Sequence, residues 1–289
     1  MRRPTLNRAR NLVGLLERLA QEALVEDVSL SPAAAKVRLN AELNYYRNLD
    51  ASTVTVHGLF HRLCISLANR RGMFSVIFGV GADINCRLLA YERILLRLDP
   101  RSVLRRFEGR ESDLVAALIR ARKLTTAQSK RQKGNARSYF PLYAKGLVGA
   151  ARFLSQFSSD SDLRGFFKKW RHDPNLLVNL PAYLADQGIP GLGETLAADA
   201  LKEVGFHELG KPDQWVKRIM STVGWVAASP SPSDIQRVLR EMSRQLGPRY
   251  PPVIVDKLMY LVGSGKFVMV EPTLICRSHF EELSKLVGE

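Results

Sequence analysis

Apolar residues return every three or four positions along most of this chain, and arginine or lysine cuts each run short of the roughly 20 residues a membrane helix needs. Leu12, Val13, Leu15, Leu16, Leu19, Ala20, Ala23 and Leu24 set the pattern, with Glu17 and Arg18 between them. Although the chain opens Met1-Arg2-Arg3, this spacing predicts an amphipathic helix rather than a secretory leader. The same period predicts helices over His57 to Asn69, Ile84 to Leu98 and Tyr139 to Phe157. A Ser161-Asp162 cap should start another through Trp170, and one should run from near Pro181 to near Gln187. Ser231-Pro232 leads into Ile235, Val238, Leu239, Met242 and Leu246, while Ser278 with Glu281 should box the start of a last helix. Met73 to Val80 reads equally as a strand or a buried connection. With no internal repeat, the fold class is all-α with many medium helices.

Charge narrows the partner. The 289 residues hold 43 Lys and Arg against 28 Asp and Glu, a formal net charge of +15, on a 46% hydrophobic composition that excludes a disordered tail. Such an excess suits a polyanion, because neutralised phosphates release condensed counterions. Nucleic acid is the leading candidate and an anionic membrane surface the second. From Arg120 to Arg137 the basic residues Arg120, Arg122, Lys123, Lys130, Arg131, Lys133 and Arg137 run without an acid. That run is either a solvated loop or a phosphate-contacting surface. Cys64, Cys86 and Cys276 are odd in number and widely spaced, which fits a reducing compartment. Without a C-x2-C pair, neither a four-cysteine iron–sulfur cluster nor a four-thiolate zinc site can form within the chain. His57, His61 and Cys64 stand one turn apart and could share a face, with no fourth ligand in view. Gly263-Ser264-Gly265-Lys266 is better explained as a helix C-terminal glycine than as a phosphate loop.

One stretch is more specific. Ile189-Pro190-Gly191-Leu192-Gly193-Glu194-Thr195 precedes Leu196, Ala197, Ala200, Leu201 and Val204 at helical spacing, ending in Gly205. This is helix, tight glycine hairpin, helix. Glycines two apart turn the backbone sharply and bring unshielded N–H groups, at the positive end of the second helix, up to a phosphate. Gly210-Lys211-Pro212-Asp213 follows, placing Asp213 18 residues beyond Thr195. Hairpin, loop and offset together resemble the helix-hairpin-helix (HhH-GPD) DNA glycosylase superfamily over about Tyr139 to Met220. The nearer likeness is to monofunctional members without an iron–sulfur cluster.

The resemblance implies a two-lobed helical fold whose cleft holds a flipped nucleotide. Residues 1–138 would form an N-terminal lobe with family-atypical segments. Residues 139–289 would carry the helix-hairpin-helix (181–205) and the aspartate loop (210–213). It also implies hydrolysis of the N-glycosidic bond of a damaged or modified base. Cleavage builds oxocarbenium character on the sugar, so a carboxylate beside the anomeric carbon lowers the barrier and can activate water. Asp213 is the residue in that position, and a helix N-terminus should keep it ionised; its alternative role is a plain helix cap. Thr195 stands where bifunctional relatives carry a Schiff-base lysine, so no lyase activity is expected.

Duplex DNA would be held through Gly191, Leu192, Gly193, Thr195 and Lys211, with Lys130, Arg131, Lys133 and Arg137 adding positioning contacts. A flipped base needs aromatic or apolar faces, for which Trp215, Tyr183, Trp170 and Tyr139 are candidates, with Tyr143 and Phe140 behind them. A wedge could come from Asn69, Arg70 and Arg71. No cofactor is expected beyond a monovalent cation at the hairpin, and no iron–sulfur cluster. A monomer in the cytoplasm (nucleoid-associated) or nucleus, off the membrane, completes the expectation. The rival reading is a catalytically silent, structure-selective DNA-binding protein using the same hairpin. A basic RNA-associated protein is a third, carried by charge alone.

Overall fold

The structure, a computed structural model, describes residues 4–70, 73–79, 83–124, 128 and 138–288, with backbone alone at 83–87 and 287–288. Among the described residues the chain is mostly helical. In chain order the helices are α1 (Leu6–Val28), α2 (Pro32–Arg47), α3 (Val56–Ala68), α4 (Met73–Phe78), α5 (Asp83–Ile94), α6 (Pro100–Phe107), α7 (Glu111–Arg122) and α8 (Tyr139–Leu154). There follow α9 (Asp160–His172), α10 (Pro174–Leu177), α11 (Leu180–Ala185), α12 (Glu194–Lys202), α13 (Gln214–Thr222), α14 (Pro232–Leu246), α15 (Pro252–Ser264) and α16 (Phe280–Gly288). One antiparallel pair, β1 (Lys266–Phe267) and β2 (Leu274–Ile275), joins α15 to α16.

The chain divides into two units, residues 1–51 with 205–289, and residues 52–204. The sequence suggested a division at 138/139. That point is instead the start of α8, which packs on α3, α6 and α7 inside the second unit. Phe140, Tyr143, Ala144, Leu147, Val148, Ala151 and Leu154 bury nearly the whole circumference of α8, making it a central helix.

In the first unit α15 has the corresponding role. Val253, Ile254, Val255, Leu258, Met259, Leu261 and Val262 are all buried, together with Asp256 and Lys257, so the helix is covered on nearly every side. Gly265 closes it in the left-handed region at φ +68°, so the glycine there is a helix cap. Against this helix pack α1, with Leu12, Leu16, Leu19 and Leu24 inward, and α13 and α14. Ser231 and Asp234 form the capping box that opens α14. The box expected at Ser278 and Glu281 is absent: α16 starts at Phe280, whose N–H meets Ser278 Oγ at 3.3 Å, and Glu282 turns back to His279 Nδ1 at 2.9 Å. Met73–Phe78, which periodicity left open, is a short helix.

This unit also holds a cluster of buried ions. Glu42, fully buried on α2, meets Lys257 Nζ at 3.1 Å and Arg38 Nη2 at 3.0 Å, and accepts the N–H groups of Met269 and Val270. A carboxylate can stay in the core only with its oxygens so occupied. The cluster ties the β1–β2 hairpin to α2 and α15.

Candidate functional site

The glycine hairpin lies in the second unit and is built from a tight turn. Leu192 N–H donates to Ile189 O at 3.1 Å, with Pro190 and Gly191 between them and Gly191 at φ +87°. Proline pre-sets the second position of such a turn and glycine supplies the positive φ at the third, a type II arrangement. Gly188, at φ +69°, lies in the left-handed region between the end of α11 and the turn. Gly193 then caps α12, its carbonyl accepting the N–H groups of Leu196 and Ala197 at 2.9 Å. Glu194 and Thr195 occupy the first turn, where a helix offers N–H groups no carbonyl of its own.

Two further glycines set the hairpin's position. A Cβ on Gly146 of α8 would stand 2.7 Å from the Pro190 carbonyl oxygen, and one on Gly149 would stand 2.8 Å from Pro190 Cδ. The missing side chains let the turn lie directly on α8, while Ile189 and Leu192 are buried beneath it. This i, i+3 glycine pair was visible in the sequence but carried no assignment, because its partner is some 40 residues away. The Pro190 oxygen is turned to α8, and the Ile189 and Gly193 carbonyls accept backbone hydrogen bonds, so nothing in this geometry argues separately for a cation.

Asn69 and Arg70 belong with the hairpin. Asn69 Nδ2 and Ser66 Oγ, from the end of α3, each donate to Asp199 Oδ2 of α12 at 3.1 Å. Asp199 is buried and also faces Lys202 Nζ at 3.9 Å. Asn69 is thus a tie between α3 and α12. Exposed Arg70 reaches the turn itself, its Nη1 3.6 Å from where a Cβ on Gly191 would sit. Arg71 lies outside the described residues.

Asp213 lies in the first unit, and its loop is held on three sides. Gln236 of α14 pairs with both backbone groups of Gly210, accepting its N–H at 3.1 Å and donating to its carbonyl at 2.5 Å. A side chain at Gly210 would run into Leu239 and Asp256. Pro212 is buried, and Asp213 N–H turns back to the Lys211 carbonyl at 2.7 Å. The half-buried Asp213 side chain caps α13, its Oδ1 accepting from Trp215 N–H at 2.8 Å and Val216 N–H at 3.1 Å. Lys211 is half-buried beside it in the loop.

The aromatic candidates separate. Trp170 and Tyr183, both half-buried, stand 5.0 Å apart in a ring cluster with Phe153, Phe157, Phe166 and Phe167. Trp215 packs in the first unit against Phe280 and into the space left at Gly263, with Arg218 over the Phe280 ring at 4.0 Å. Half-buried Tyr139 begins α8; Phe140 and Tyr143 are core, the Tyr143 hydroxyl donating to the Cys64 carbonyl at 3.0 Å. Lys130, Arg131, Lys133 and Arg137 lie outside the described residues.

On α3, burial, with help from Arg62 and His57 and against the pull of Glu92, holds the His61 imidazole below its ordinary value. Burial pushes the Cys64 thiol far up, so it is no thiolate ligand at neutral pH. Among the described residues no group of three or more His, Cys, Asp or Glu side chains could hold a metal, and no helix is long and apolar enough to cross a membrane.

No protein-family model, no curated protein and no solved structure matches the chain.

Proposed function

We propose that this protein is a monofunctional DNA glycosylase that flips a damaged or modified base from the duplex and hydrolyses its N-glycosidic bond. The observation that carries the reading is the hairpin. A proline-glycine turn is fixed on α8 by Gly146 and Gly149, opens onto the first turn of α12, and has the Arg70 guanidinium at its mouth. A phosphate there meets a helix N-terminus and one cation together. Asp213 supplies the second element, a carboxylate on a loop hydrogen-bonded to Gln236 and to the start of α13, suited to stabilising positive charge on a sugar or orienting water. Thr195 has no amine, so no imine forms and the product is an abasic site. Trp170 and Tyr183 provide apolar ring faces to a base taken out of the stack.

The two cap bonds of Asp213 are the specific observation favouring a second reading, a silent DNA-binding protein in which the residue only starts α13. Asp213→Asn separates the two. Asparagine caps as well as aspartate, so the helix survives while the charge is lost. With duplexes carrying alkylated, deaminated or hypermodified bases, the variant should keep DNA affinity within about twofold and lose base release, with no borohydride-trapped adduct for either protein. Unchanged release in the variant, or none from the wild type on any duplex, would refute the enzymatic reading.

A further inference from the structure

A second basic feature of the 52–204 unit lies apart in sequence from the hairpin. Helices α5, α6 and α7 border an open concavity of about 700 Å³ lined by Arg93, Arg106, Arg110 and Arg120, with one acid, Asp113. The floor is apolar, from Ala90, Ile94, Phe107, Ala117 and Ala121. All four arginines are exposed, and among the described residues none forms an ion pair or hydrogen bond through its guanidinium; Arg106 only overlies the Phe107 ring at 5.3 Å. Nearby basic residues behave differently. Arg122 donates to the Val76 carbonyl at 3.1 Å, Arg101 to the Phe157 and Ser158 carbonyls, and Arg152 pairs with Glu108 at 3.0 Å.

Like charges gathered around one concavity repel one another only weakly when exposed, and an anion relieves that repulsion. Guanidinium is the group that grips phosphate oxygens in pairs, and here every cation lining the cavity is an arginine. The rim is open and its charges are exposed, which suits a chain of phosphates passing through more than a small molecule sealed inside. We propose that this arginine groove is a second DNA-backbone site, taking successive phosphodiesters of a strand engaged by the protein. The inference rests on the reading of the chain as a DNA-binding protein, but not on catalysis by Asp213.

The test is the salt dependence of affinity for a fluorescein-labelled duplex, followed by anisotropy for the full chain, an Arg93→Ala/Arg106→Ala variant and an Arg93→Lys/Arg106→Lys variant. A control, Arg237→Ala/Arg244→Ala, removes two exposed arginines of the first unit that are paired with Asp234 and Glu241. Each lost phosphate contact should lower the slope of log affinity against log salt by about 0.9. The alanine variant should therefore lose nearly two in slope and at least about tenfold in affinity near physiological salt. The lysine variant should keep most of the slope, and the control nearly all of it.

An unchanged slope in the alanine variant, or an equal loss in the control, overturns the proposal. So does a wild type that binds inorganic triphosphate through these arginines while its DNA affinity ignores them. Base release is scored separately on the wild type. Arginine-dependent binding without release would sink the glycosylase reading and leave the groove standing; release with an arginine-independent slope would do the reverse.

Discussion

Glu42 with Lys257 and Arg38 in one unit, and the four arginines around the α5–α7 cavity in the other, show two opposite treatments of charge. In the first unit every buried ion of the cluster has an opposite ion or backbone groups against it, and the result is a fixed hairpin behind a packed core. In the second, exposed arginines line a concavity with no ion pair or hydrogen bond of their guanidiniums among the described residues. A charge compensated inside the fold contributes to stability and is silent toward ligands. A charge left uncompensated contributes little to stability and is available to a polyanion.

The sharpest way to break this contrast is to remove the buried anion. Glu42→Gln leaves Lys257 and Arg38 facing a neutral group and should destabilise the first unit by about 3–5 kcal/mol, read from the midpoint of urea unfolding. A loss below about 1 kcal/mol would mean that water reaches the cluster and that its charges are not buried as the contrast requires. The groove arginines should behave oppositely, each alanine substitution staying within about 0.5 kcal/mol while DNA affinity falls.

Between these lies the hairpin's glycine seat. Alanines at both Gly146 and Gly149 would gain about 1 kcal/mol each in helix propensity but force Pro190 outward, an overpacking cost of about 1–3 kcal/mol each. The expected outcome is a net loss of stability on the order of 1 kcal/mol, together with weaker DNA binding. Unaltered affinity would show that the hairpin's exact seat does not matter to the phosphate.

The smallest effect is a pH dependence. The folded chain favours the neutral His61 ring, so its contribution is complete above the ordinary imidazole value of 6.5 and is lost as pH falls from there toward the lowered folded value. Solvent screening at this partly exposed site keeps it under about 1 kcal/mol. Comparing melting temperatures at neutral and mildly acidic pH, His61→Gln should be flatter than the wild type. An identical pH profile would remove His61 as the cause.

The helices were legible because period and caps are local: α1, α3, α8 and the Ser231 entry to α14 lie close to their expected positions. The division of the chain was not, because it depends on which distant segments share a core. Residues 1–51 complete a unit whose other half begins at Gly205, whose backbone lies against Asp50 and Ala51 where a Cβ would collide. The hairpin's turn could be read from Pro190 and Gly191, yet its seat on Gly146 and Gly149 and the tie from Asn69 to Asp199 could not, since each joins elements far apart in sequence. The groove arginines were hidden for a related reason. Arg120 opens the basic run, but Arg93, Arg106 and Arg110 stand among acids outside it, and only the packing of three helices brings the four together.

The most direct measurement of the central claim is mass spectrometry of free bases released from mixed, damaged genomic DNA by the wild type and by Asp213→Asn. The account predicts at least one modified base released by the wild type alone, with both proteins equally bound to the DNA. The same bases from both proteins, or none from either, would contradict it.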